Sequence, residues 1–188
     1  MYQWNSRCSA AFWEALGYLE VSLRNALDAR LTLRQHKQGQ TRHWVFDDAR
    51  QLGRDARGVG RHAHPDQDIA TAIRRVQANG KPLDPAQIIS ELPFGFWHQL
   101  VARRQMFLWP DLAAAFAHAP SRSPVPVRDR LARMRDLRNR IGHHHRIWSL
   151  DLDARWDDLV TLAGWIDPEL RVWIETNTGV PAALSVRP

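Results

Sequence analysis

The chain has 188 residues, 44% of them hydrophobic and 24% charged, which is the profile of a globular protein long enough to bury a core. It contains no run of about 18 apolar residues, which argues against a membrane span, and its N-terminus, MYQWNSRCSAAFWEAL, lacks the basic-then-apolar pattern of a signal peptide, so a cytoplasmic protein is expected. The net charge is +6, and Cys8, the lone cysteine, excludes an intrachain disulfide and a cysteine-based zinc cluster.

Residues 6–36 read as one long helix without proline, with Asn5 or Ser6 able to cap its start. Phe12, Leu16, Leu19, Leu23 and Ala26 fall at the alternating four- and three-residue spacing of a buried stripe. Glu20 stands four residues before Arg24, the favourable order for a helical ion pair. Gly39 closes this region, and Trp44-Val45-Phe46 reads as an apolar docking patch. Residues 47–65 hold Gly53, Gly58 and Gly60 among arginines and histidines, and read as a mobile loop, solvated or able to embrace a nucleic acid.

Asp66 to Ala78 patterns as a helix stopped by Asn79-Gly80. Asp84-Pro85 is a cap followed by proline at the first helical position, and opens a short helix with Ile88 and Ile89. After Pro93, Phe94-Gly95-Phe96-Trp97 opens another helix toward Arg104, and Pro110 leads an alanine-rich turn. Residues 127–144 form a strong helix, with Val127, Leu131, Met134 and Ile141 on its apolar side and Leu137 at the margin. Asp153 is expected to cap the next helix and Asp167-Pro168 to start the last, while residues 178–188 read as a flexible tail. No alternating strand pattern appears. The expected fold is therefore all-α, a single domain over residues 1–188 with four or five main helices and short accessory ones.

Of the 26 basic residues, 24 are arginines, a bias that codon usage alone can produce. Their distribution says more than their number. Residues 122–146 hold eight arginines against Asp129 and Asp136, a surplus of +6 that equals the excess of the whole chain. A basic stripe on one element is the electrostatic footprint of a polyanion partner.

The same helix ends in LRNRIGHHHRIW, residues 137–148. Asn139 and His143 are four apart and share a helix face, and Arg138 lies about 100° round from Asn139, bordering the apolar stripe. From there its stem can lie on apolar surface while the guanidinium reaches outward. A guanidinium presents a planar fork of donors to phosphate oxygens. An imidazole titrates near neutrality and can take or give a proton. Together they can cleave RNA without a metal: one group helps remove the ribose 2′-hydroxyl proton or protonates the leaving 5′-oxygen, and the arginine stabilises charge on the phosphoryl oxygens. The product is a 2′,3′-cyclic phosphate. Three adjacent histidines also suit a helix C-terminus as cations, or a transition metal if the helix ends there.

LRNRIGHHHRIW resembles the LRNRIAHHEPIW-type signature of the Abi-like (abortive-infection) family, and the resemblance extends to LEVSLRNAL at 19–27, ELPFGFWHQLVARR at 91–104 and GWIDPELRVWI at 164–174. That family is similar to the HEPN superfamily of helical domains, many of them RNases. The resemblance implies a HEPN-like bundle with Arg138, Asn139 and His143 as the catalytic trio and no cofactor. Arg140, His144, Arg135 and Arg24 become substrate contacts, and Arg24 with Glu20 would buttress the site. It also implies an RNA substrate, a homodimer with a composite active site, and an antitoxin of RNA or protein in a toxin–antitoxin or phage-defence setting. His145-Arg146 replace the family's common Glu-Pro, and Gly142 stands where alanine is usual. A non-catalytic module that binds RNA or a protein partner remains the competing expectation, and a histidine metal site across a dimer a third.

Overall fold

The computed structural model describes residues 1–48, 50–53 and 64–187. All regular structure among them is helical, with no strand, as the all-α expectation requires. The helices are α1 (Tyr2–Lys37), α2 (Pro65–Ala78), α3 (Pro85–Ser90), α4 (Phe94–Leu100), α5 (Trp109–Leu112), α6 (Pro124–Gly142), α7 (Leu152–Ile166), α8 (Pro168–Asn177) and α9 (Val180–Ser185), joined in places by 3-10 turns. Packing gathers the chain into two compact units: Met1–Leu23 with Ala115–Pro188, and Arg24–Ala114.

In the first unit, α7 packs against α6, α8 and α9. The core combines Phe12, Leu16 and Leu19 of α1 with Leu131, Met134 and Leu137 of α6, all at most 1% exposed. Burying each such side chain contributes roughly 1.5–3 kcal/mol, so this stripe is what holds α1 and α6 in the unit. Leu137 is a full core residue rather than a marginal one. Asp151, not Asp153, caps α7, its carboxylate accepting from Ala154 N–H at 3.0 Å. In α8 only Ile174 is buried; Val172 and Trp173 are exposed, and Tyr18 meets Trp173 edge-on at 4.5 Å. Part of the expected tail is helical: α9 buries Val180, and Trp4 Nε1 donates to Ala183 O at 2.8 Å. Cys8 is fully buried beneath the same segment, and burial pushes its thiol pKa up.

In the second unit, the continuation of α1 buries Leu27 and Leu31, while Ala26 is only half-buried. Helical spacing alone does not choose between neighbours, and the larger leucine takes the core position. Trp44, Phe96 and Trp97 form the aromatic centre: Trp44 stacks on Phe96 at 6.1 Å, and Phe96 meets Trp97 edge-on at 5.0 Å. The predicted caps hold at Asp84, which accepts from Gln87 N–H at 2.9 Å. Of the expected loop 47–65, residues 49 and 54–63 lie outside the described residues. The start of that stretch is pinned. Asp47 adopts φ 45° and accepts from Gln51 N–H, and Gln105 Nε2 donates to the carbonyl of buried Leu52.

Candidate functional site at the end of helix α6

Ser123 caps α6, and Pro124 and Pro126 sit in its first turn, where no backbone donor is lost to the helix. The helix then runs unbroken to Gly142 and stops in the histidines. His143 is the last residue before the turn, with its N–H on Asn139 O at 3.0 Å. His144 takes the left-handed conformation, φ 56°. Its N–H reaches Ile141 O at 2.9 Å, and His145 N–H reaches back to Arg140 O at 2.7 Å. This is the double closure that satisfies the last carbonyls of a helix, here with histidine at the position glycine usually holds.

That reversal sets the exposure of the ring nitrogens. His143, His144 and His145 are all exposed, and the His143 and His145 rings lie 5.8 Å apart. Asn139 is exposed on the same end of the helix. The turn is anchored from α1, because Asn5 Oδ1 accepts from Ile147 N–H at 2.8 Å and Trp148 N–H at 3.3 Å. Asn5 is therefore an interior residue of α1 holding the segment after the histidines, not the cap of that helix.

Arg138 is half-buried and lies against Trp13. Its guanidinium carbon lies 5.2 Å from the Trp13 ring centroid, and its Nε is buried without a hydrogen-bond partner among the described residues. Beside it runs a groove of about 460 Å³, within the range of small-molecule sites. One wall is α1, with Ser6, Ser9 and Trp13; the other is the end of α6, with Gly142, His144 and His145. Among the described residues no carboxylate lines it. Sequence reasoning missed the α1 wall. Its signal was present: Ser6, Ala10 and Trp13 recur at helical spacing, off the buried stripe of Phe12, Leu16 and Leu19.

The basic stripe is less free than its charge count. Arg133 donates to both carboxylate oxygens of Asp158, at 2.6 and 2.7 Å, and these bonds hold its pKa further above the usual range. Arg130 and Arg155 approach the same carboxylate at 3.4 and 3.5 Å. Arg130 also lies over Trp165 at 4.7 Å. Arg128 pairs with Asp129 and Arg140 with Asp136, both at 3.1 Å. Arg140 is thus tied to its own helix, whereas Arg146 is exposed beside the histidines. Arg24 belongs to the second unit.

Among the described residues no group of three or more His, Cys, Asp or Glu side chains is arranged to hold a metal ion. No described helix is long and apolar enough to cross a membrane. Comparison with protein-family models, curated proteins and solved structures returns no match.

Proposed function

We propose that the protein is a metal-independent endoribonuclease of the HEPN type, an Abi-like effector of abortive infection or toxin action. One observation carries the proposal: three exposed imidazoles crowd the end of α6, beside the Arg138 side chain and a groove that no carboxylate lines among the described residues. Cleavage of this kind needs a cation for the phosphate and a group that titrates near neutral pH, and both residue types stand there.

Arg138 binds the scissile phosphate and stabilises the charge that builds on its oxygens. His143 takes the 2′-hydroxyl proton or returns a proton to the 5′-oxygen. Asn139 orients the phosphate or the imidazole. His144 and Arg140 contact the flanking backbone, with Arg135 as a further contact. A second copy of the chain would bring a second trio to a shared cleft, and an RNA or protein antitoxin would act by covering it.

The test is RNA cleavage by purified protein in excess chelator, with 2′,3′-cyclic phosphate ends as the expected product. His143→Ala and Arg138→Ala are each expected to lower the rate by about a hundredfold or more. Equal cleavage by wild type and either variant refutes the assignment. Intact RNA recovered from a tight complex would favour a binding module instead.

A further inference from the structure

We infer that the groove beside Trp13 is a nucleobase subsite, which stacks one unpaired base of a single-stranded nucleic acid on the indole and turns the adjoining phosphate toward the imidazoles. The inference deepens the nuclease proposal by naming what the site grips. Its supporting observations concern binding, and its test separates the two.

The first observation is Trp13 itself. It is 45% exposed on a helix whose other large aromatic at that level, Phe12, is fully buried. Exposed indole carries a hydrophobic cost unless something covers it, and every base has a π face that fits. The second is Arg138. A guanidinium over the ring fixes the indole by cation–π attraction and places a positive charge within reach of a nucleotide stacked there. The third is the polar lining: Ser6 and Ser9, on the α1 wall with Trp13, supply hydroxyls that both donate and accept, while His144 and His145 on the other wall supply ring nitrogens. With no carboxylate lining the groove among the described residues, a cationic ligand has no ion-pair partner there and an anionic one meets no repulsion from them.

Gly142 completes the case. A Cβ built there would sit 3.6 Å from Trp13 Cζ3 and 3.7 Å from Arg138 Nη1. Glycine therefore leaves open the space that a larger side chain would use to cover the indole. A duplex cannot use this surface, because its bases are already stacked and turned inward. A single strand, loop or bulge can.

The test uses full-length protein and a fluorescently labelled 2′-O-methyl RNA oligonucleotide, which lacks the attacking hydroxyl and survives. Binding anisotropy is measured for wild type, Trp13→Ala, Trp13→Phe and Gly142→Leu, with circular dichroism to confirm folding. Trp13→Ala and Gly142→Leu are expected to weaken binding about tenfold or more, and Trp13→Phe to retain most of it. An oligonucleotide with abasic sites throughout should bind wild type as weakly as the intact one binds Trp13→Ala. Unchanged affinity in folded Trp13→Ala, or no measurable binding by wild type, overturns the subsite. If binding depends on Trp13 but ordinary RNA is never cut, the subsite stands and the nuclease proposal falls. If RNA is cut with a KM indifferent to Trp13→Ala, the nuclease proposal stands and the subsite falls.

Discussion

Asp158 of α7 receives both guanidinium hydrogen bonds of Arg133 on α6, at 2.6 and 2.7 Å, with Arg130 and Arg155 close to the same oxygens. One carboxylate with a side chain only 10% exposed thus serves three cations. The arrangement is a fastening between α6 and α7 before it is a polyanion site. Removing a buried partner strands the charges it served. Asp158→Ala is therefore expected to cost about 3 kcal/mol, read as a lowered urea midpoint without a change in slope. Arg133→Ala should lower stability in the same assay yet leave RNA affinity within about twofold. A large loss of RNA affinity in a folded Arg133→Ala protein would show that the ion cluster also serves the ligand.

The left-handed His144 allows a cleaner stability test. A non-glycine residue in that conformation costs roughly 1–2 kcal/mol, and glycine returns part of the gain through greater freedom in the unfolded chain. His144→Gly is expected to stabilise the protein by about 0.5–1 kcal/mol, seen as a rise in Tm. It also deletes an imidazole from the groove. A variant that is more stable but binds single-stranded oligonucleotide less well would identify His144 as a residue kept for its ring. If stability falls instead, the ring makes a contact that outweighs the backbone cost.

What the sequence revealed and what it hid follow from separation along the chain. Caps such as Asp84-Pro85 and Asp167-Pro168 are legible because donor, acceptor and proline lie within four residues. The spacing of Arg138, Asn139 and His143 is readable because all three fall at the end of α6, His143 just past its last residue. Asp158 lies 25 residues from Arg133, and a charge count cannot reveal which arginines it neutralises. Trp13 and Arg138 are 125 apart, so no local pattern announces their contact. The start of α1 was misplaced for a related reason. Asn5 is a good cap by type, but its carboxamide is taken by Ile147 and Trp148, 142 and 143 residues away.

That clamp makes a prediction of its own. Asn5 Oδ1 satisfies two backbone donors immediately after the histidine turn. Asn5→Ala leaves the Ile147 and Trp148 N–H groups to water or to nothing, a loss on the order of 1–3 kcal/mol. Hydrogen exchange at residues 146–148 should accelerate more than exchange in the middle of α6. Exchange unchanged at those amides would mean that the turn is held by its own helix closure.

His43 gives the second unit a pH dependence of defined sign. Its Nδ1 accepts from Val45 N–H at 3.3 Å, and its Nε2 faces Thr32 Oγ1 at 3.2 Å and Asp28 Oδ1 at 3.4 Å. Burial lowers its pKa below 6.5, overriding the opposing pull of Asp28, and His36 lowers it further. A histidine depressed in the fold is protonated more readily in the unfolded chain. Its contribution is therefore fully present above pH about 6.5 and is lost as the pH falls through the folded value. Stability measured by urea titration should decline as the pH drops below about 6.5, and His43→Gln should flatten that decline while lowering the plateau above it. A neutral Nδ1 acceptor is also what holds the turn at Trp44–Phe46, so the first residues to lose exchange protection on acidification should be Val45 and Phe46. A wild-type profile that rises on acidification over this range would reverse the assigned sign.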